Sequence, residues 1–211
     1  GAGISTDSGI PDFRGPQGVW TKNPQAEKLA TLQHYLADPD IRRQAWQNRV
    51  ASAHWTAAPN SAHRLLALLE QDGRLHTLVT QNVDGLHQAA GSGPERVVEV
   101  HGTMHWSICW GCRDRRPMAE VLERVRAGEV DPNCEWCGGI LKSDTISFGQ
   151  SLDAAVIARA LRVAEEGDVL LTIGTSLQVY PVANMVPRAR AAGIPVVIVN
   201  GEPTKMDHLA T

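Results

Sequence analysis

Apolar residues recur along the chain in two distinct periods. Short, nearly continuous runs rich in β-branched residues stand at LHTLV (75–79), RVVEV (96–100), DVLLTI (168–173) and PVVIV (195–199). Runs of this length and character read as strands of a parallel sheet buried on both faces. Amphipathic segments lie between them. NSAHRLLALLEQDG offers Asn60 or Ser61 as an N-cap, an apolar face at Leu65, Leu66, Leu68 and Leu69, and Gly73 as a stop. The pattern returns from Leu152 to Gly167 and from Pro181 to Gly193. Strand and helix alternating in this way predict an α/β fold, a doubly wound, Rossmann-like parallel sheet.

Two stretches depart from that rhythm. Residues 21–58 read as helical and hold no strand pattern, while residues 107–140 carry four cysteines and one helix. In that helix Pro117 suits the first helical position, Met118, Val121, Leu122 and Val125 form one face, and Gly128 ends it. The expected organisation is therefore a main domain of residues 1–20, 59–106 and 141–211. A smaller lobe would combine the helical insert, 21–58, with the cysteine insert, 107–140. A ligand cleft would open between the two, above the carboxyl ends of the strands.

Composition narrows the partners. The 211 residues are 43% hydrophobic and 20% charged, as in a soluble globular protein. A net charge of −3 gives no basic platform for nucleic acid, so no direct nucleic-acid partner is expected. No apolar run approaches the roughly 20 residues that span a bilayer, so no membrane partner is expected either.

The four cysteines, Cys109, Cys112, Cys134 and Cys137, form two CxxC pairs with 21 residues between them. That spacing predicts one tetrahedral Zn2+ site, the alternative being two disulfides in a secreted protein. Four thiolates close the metal's shell, so the zinc would be structural. Such a site belongs to a reducing compartment, hence a cytoplasmic expectation.

Polar clusters follow each predicted strand. TQNVDGLH comes after the first, with Gln81, Asn82, Asp84 and His87, and HGT after the second, with His101. GTSLQVYP and NGEPT follow the third and fourth. Gly174, Thr175 and Ser176, read as opening a helix, suit a phosphate or ribose. The opening GAGIS could act likewise, though it lacks the third glycine of the dinucleotide fingerprint, and either glycine loop could be a plain tight turn. Asn82 and Asp84 could grip a carboxamide or ribose hydroxyls, or form a solvated Asx turn. His101 projects from a strand end, where an imidazole could serve as a general base or simply pack. Of the other histidines, His105 is read as supporting the site and His87 as a helix cap. His34, His54, His63, His76 and His208 are read as ordinary.

Together these motifs resemble the sirtuin family, the NAD-dependent protein lysine deacylases. GAGISTDSGIPDFRG, TQNVDGLH, VHGT, CWGC with CEWC, SFG, GTSLQVYP and NGEPT occur in the family's order over nearly the whole chain. The resemblance implies NAD+ as co-substrate and acylated lysine side chains of proteins as substrates. It implies that Gly1, Ala2, Gly3, Ser5, Ile10, Asp12, Phe13 and Arg14 form a flexible NAD loop, and that Gln81, Asn82 and Asp84 hold the nicotinamide ribose and carboxamide. Gly174, Thr175, Ser176, Asn200 and Glu202 would bind the adenosine half. Ile146, Phe148, Gly149 and Val179 would line the acyl-lysine tunnel, with the peptide adding as a strand. His101, with Asn82, would be catalytic. The acyl oxygen would attack the ribose as nicotinamide leaves, and His101 would then activate a ribose hydroxyl that takes the acyl group.

The resemblance also implies a hydrophobic strand leading into GAGIS and a further strand after KMDHLAT, so the chain reads as a core trimmed at both ends. Gln150 stands where the family often has Glu, and Trp46 where members preferring acidic acyl groups have Tyr, three residues before Arg49. Mono-ADP-ribosyl transfer is the alternative reaction for the same site. A non-catalytic zinc-module binding protein is the alternative of another class. A monomer is expected.

Overall fold

The computed structural model describes residues 1–23 and 30–211. Residues 24–29, part of the stretch expected to be helical, lie outside the described residues. In chain order the helices are α1 (Val19–Lys22), α2 (Leu32–Ala37), α3 (Pro39–Val50), α4 (Ser61–Gln71), α5 (Leu86–Ala89), α6 (Met118–Arg126), α7 (Ala154–Val163) and α8 (Met185–Ala191). The strands are β1 (Leu78–Thr80), β2 (Val97–Glu99), β3 (Gly102–Cys109), β4 (Arg115–Pro117), β5 (Leu141–Thr145), β6 (Leu170–Ile173) and β7 (Val196–Val199). Short 3₁₀ turns occur at Ala2–Ser8, Ala53–Thr56, Val182–Asn184 and Asp207–Leu209.

β1 pairs in parallel with β2, Leu78 opposite Val97, and β6 pairs in parallel with β7, Leu170 opposite Val196. The opening turn joins the two pairs. The Gly1 amino group donates to the Ile173 carbonyl at 2.8 Å, and the Gly3 amide donates to the Gly174 carbonyl at 2.9 Å. Beneath this seam Ile4, Leu66, Leu78 and Val97 pack together, with Ile173 against them. α/β alternation with parallel strands thus holds as expected.

Burial on both strand faces holds at β2, where Val97 and Val98 enter different core clusters, but not at β6 and β7. Val196 is buried against α8 with Val186 and Ala189, whereas Leu171, Val197 and Val199 are exposed. Successive residues of a strand face opposite sides, and only one side of this pair is covered among the described residues. α4 shows a similar narrowing. Leu66 is buried and Leu69 partly so, one turn apart, while Leu65 and Leu68 lie on the flank and are exposed. Asn60 is the N-cap: its side chain accepts the Ala62 and His63 amides, and His63 returns the favour to the Asn60 amide. This is a capping box with histidine in the place usually taken by Glu or Gln.

The cysteine segment contains an antiparallel sheet, β4-β3-β5, that the sequence pattern did not foretell. β3 runs across the expected boundary at 106/107, and Pro117 ends β4 as the N-cap of α6 rather than its first residue. The four apolar positions of α6 are buried as the pattern predicted. They pack with Trp46 from α3, fully buried, and with Cys109, Cys134 and Leu141.

Candidate functional site

The site is assembled at the ends of β1, β2 and β6, with the opening turn laid across them. At the end of β1 the Thr80 hydroxyl accepts the Asn82 amide at 3.0 Å, which turns the chain and aims residues 81–84 at the seam. Gln81 Nε2 donates to Thr175 Oγ1 at 3.3 Å, linking β1's end to β6's. Asn82 Nδ2 donates to Ser5 Oγ at 3.2 Å and to the Gly1 carbonyl at 3.3 Å. Ser5, fully buried, donates its hydroxyl to Asp84 Oδ2 at 2.7 Å. Asp84 Oδ1 takes the Leu86 amide at 3.0 Å.

The glycines serve approach rather than phosphate cradling as such. A Cβ on Gly3 would lie 2.9 Å from Gly174 Cα. One on Gly174, where φ is +58°, would lie 2.4 Å from the Ile4 nitrogen. Only glycine lets these two backbones touch. The expectation that Gly174, Thr175 and Ser176 open a helix is corrected: residues 174–181 are irregular. Leu177 has φ +54°, its amide bonds Thr175 Oγ1 at 3.3 Å, and helical turns begin only at Val182. Positive φ at two positions in four residues breaks the α path there.

His101 follows β2, with Nδ1 3.1 Å from the Gln81 carbonyl. A carbonyl only accepts, so Nδ1 carries the proton and Nε2 is left as the basic nitrogen. Burial lowers this pKa below the ordinary 6.5, and the Gln81 carbonyl opposes the shift. The ring is therefore neutral near pH 7, the form a general base needs.

Beyond this cluster, Ile10 is buried and the Asp12 carboxylate accepts the Gly15 amide at 2.9 Å. Phe13 is exposed and stacks on Trp20 at 4.8 Å, with the Arg14 guanidinium 4.5 Å from the same indole. Trp20 in turn lies 5.3 Å from Phe148, so one indole joins the opening loop to the proposed tunnel wall. The Phe148 amide and carbonyl pair with Ala30 and Leu32 at 2.9 Å each. The Ile146 amide donates to the His101 carbonyl at 2.8 Å, and the Val179 carbonyl accepts the Ala183 amide at 3.0 Å. Gly149 is left-handed at φ +80° with open space around it, and half-buried Ser176 lies in the irregular stretch after β6. Asn200 Nδ2 bonds the Glu202 carbonyl at 2.7 Å, so these two stay within their own loop rather than joining the cluster.

The four cysteines are free thiols whose sulfurs all lie within 4.8 Å of one another. Cys109 and Cys137 are 3.5 Å apart and Cys112 and Cys134 are 3.6 Å apart. Ligands at about 2.3 Å from a tetrahedral zinc sit about 3.8 Å apart, so the donor set fits Zn2+.

Sequence reasoning passed over two residues. His63, read as ordinary, is fully buried with Nε2 3.4 Å from Ser5 Oγ. A histidine three residues after an N-cap asparagine was the available signal. Trp20 was unremarked. His87 does not cap a helix but lies inside α5, buried 4.9 Å from the His63 ring. Burial, with His63 adding, pushes its pKa down to about 4. His105 donates from Nε2 to the Asp84 carbonyl at 2.9 Å, supporting that loop.

Comparison with known proteins places the chain among relatives. A family model described as "Sir2 family" matches residues 1–181. NAD-dependent protein deacetylase 2 of Streptomyces coelicolor is 50% identical over 210 residues, covering 100% of this chain and 87% of that protein. The NAD-dependent protein deacetylase of Sulfolobus acidocaldarius is 47% identical, covering 100% of this chain and 80% of its own length. Among solved structures, a Sir2 protein with a deacetylated p53 peptide and 3′-O-acetyl ADP-ribose superposes with a TM-score of 0.90. It has 32% identity, over 100% of this chain and 83% of that one. A Sir2 protein with a p53 peptide and NAD+ gives 0.86 at 32% identity, over 100% and 82%.

Proposed function

The chain belongs to the Sir2 family, and from that premise we propose how its residues carry out the reaction. The protein is an NAD-dependent protein lysine deacetylase that moves an acyl group from lysine to ADP-ribose and releases nicotinamide. NAD+ supplies an activated ribose–nicotinamide bond and the hydroxyls that receive the acyl group. Gln81, Asn82 and Asp84 bind its nicotinamide-ribose end, with Ser5 of the opening loop hydrogen-bonded to Asn82 and Asp84 behind them, and Gly174, Thr175, Ser176, Asn200 and Glu202 bind the adenosine half. Asp12, Phe13 and Arg14 cover the site from the exposed part of the opening loop.

His101 carries the reading. Its neutral ring presents Nε2 where the ends of β1 and β2 meet, and that nitrogen takes the proton of a ribose hydroxyl. Ile146, Phe148, Gly149 and Val179 line the path of the acyl-lysine. Aromatic and aliphatic walls favour a neutral amide over a free ammonium, which is costly to bury unpaired. Zn2+ on Cys109, Cys112, Cys134 and Cys137 is structural, holding the ends of β3 and β5 together. With four sulfurs bound it offers no position for a substrate.

The division into a main domain of 1–20, 59–106 and 141–211 and a lobe of 21–58 and 107–140 draws support from the shared core of Trp46 and α6. A monomer is the oligomeric state proposed. No described helix is long and apolar enough to cross a membrane. We place the protein in the cytoplasm because its four cysteines form no disulfide and suit a metal instead, and its acidic balance favours protein over nucleic-acid partners. Acetyl is the acyl group proposed. Mass spectrometry of acetyl-, succinyl- and longer acyl-lysine peptides, each with and without NAD+, tests this. NAD-dependent loss of acetyl with O-acetyl-ADP-ribose appearing supports it. Nicotinamide release without deacylation, or ADP-ribose gained by a protein, would replace it with ADP-ribosyl transfer.

A further inference from the structure

We propose that His63 is a positioning residue for the nicotinamide-ribose side of the site, fixing the Ser5 hydroxyl on Asp84 from behind. The inference rests on the NAD-dependent reading above. His63 stands in the first turn of α4, away from the strand ends that make the site, and its side chain is fully buried. Its Nδ1 is already committed, since it accepts the Asn60 amide at 3.3 Å. A ring nitrogen that accepts carries no proton, so the proton of the neutral ring sits on Nε2. That nitrogen is 3.4 Å from Ser5 Oγ.

Ser5 Oγ therefore faces two donors, His63 Nε2–H and Asn82 Nδ2–H, the latter at 3.2 Å. Both of its lone pairs are taken, and its single proton has one remaining acceptor, Asp84 Oδ2 at 2.7 Å. A hydroxyl with one partner can rotate, but one with three has a single orientation. The same helix end grips the loop on both sides of Ser5. Asn60 Nδ2 donates to the Ile4 carbonyl at 2.7 Å and to Ser8 Oγ at 3.1 Å. Burial holds the His63 ring neutral by lowering its pKa. A protonated ring would set an N–H of Nδ1 against the Asn60 N–H and break the cap.

Two substitutions separate this role from capping alone. Asparagine matches the position of Nδ1 but stops short of Ser5, while glutamine reaches Ser5 and leaves the Asn60 amide without its acceptor. The experiment combines imidazole ¹⁵N NMR of the ligand-free protein with NAD+ calorimetry on wild type, His63→Asn and His63→Gln, and with peptide KM values. We expect the Nε2–H tautomer at His63. We expect NAD+ binding about tenfold weaker in His63→Asn, peptide KM changed less than about twofold, and His63→Gln near wild type in NAD+ affinity. An Nδ1–H tautomer overturns the proposal even if both variants fail to fold. Equal weakening in the two variants, or tolerance of Asn with loss in Gln, overturns it while leaving the functional reading intact. A wild type that binds no NAD+ overturns both.

Discussion

The cysteine lobe and the strand-end seam are held together by opposite means. In the lobe, Trp46 packs on Met118, Val121, Leu122 and Val125, and four sulfurs lie close enough to share a metal. Apolar burial and metal ligation each contribute large stabilising terms. The seam is polar and buried. Ser5, Asn82, Asp84, Gln81 and Thr175 satisfy one another through single hydrogen bonds between segments up to 94 residues apart. Each such bond contributes little net stability, yet leaving a partner unmet costs more than the bond contributes. The contrast teaches where damage should register: in melting for the lobe, and in affinity and rate for the seam.

Removing zinc should break the lobe most severely. Structural zinc sites carry apparent binding energies of about 10–16 kcal/mol that are folding energy. A chelator, or Cys134→Ser, should abolish amide protection across residues 102–145 while β1, β2 and α4 keep more of theirs in hydrogen exchange. Uniform loss throughout the chain would erase the distinction between the regions. Trp46→Ala comes next, at about 3–5 kcal/mol for a buried aromatic emptied from a core. Chemical denaturation should report it, with NAD+ affinity nearly unchanged in the folded fraction.

Acid sharpens the comparison from the seam's side. His87 has a folded pKa of about 4 against 6.5 unfolded, so the unfolded state binds the proton first. Its contribution is fully present above pH 6.5 and is lost as pH falls towards 4, about 3 kcal/mol over that span. Urea midpoints for wild type and His87→Gln should converge as pH falls through this window, and parallel curves would count against it. Smallest is Asn60→Ala, at about 1 kcal/mol for the lost cap. Because Asn60 also holds Ile4 and Ser8, NAD+ KM should rise in the same variant. A change in melting alone would mark Asn60 as a cap and nothing more.

Legibility in the sequence follows the same division. CxxC spacing and the period of α6 are local patterns, and they disclosed the metal site and the helix face from residues alone. The antiparallel sheet around them was hidden because β4 has three residues and β3 begins inside the VHGT motif, where chemistry masks alternation. In the seam, strand ends pointed to a site, but its partners depend on contacts no local pattern carries. That Ser5 and Asp84 belong to one NAD site was legible only through family resemblance, and their direct hydrogen bond was not legible at all. His63 escaped even the resemblance, since a helical histidine is ordinary until its neighbours are known. The helix expected at Gly174 failed for a backbone reason, the positive φ of Gly174 and Leu177.

The division of labour is tested most directly by one variant. We would measure kcat/KM for NAD-dependent deacetylation of an acetyl-lysine peptide by His101→Ala beside its thermal melt. We expect a loss of roughly 10²- to 10⁴-fold, the range of general acid–base catalysis, with melting essentially that of wild type. Activity retained in the variant, or activity lost only in step with stability, would contradict the assignment of the chemistry to the seam.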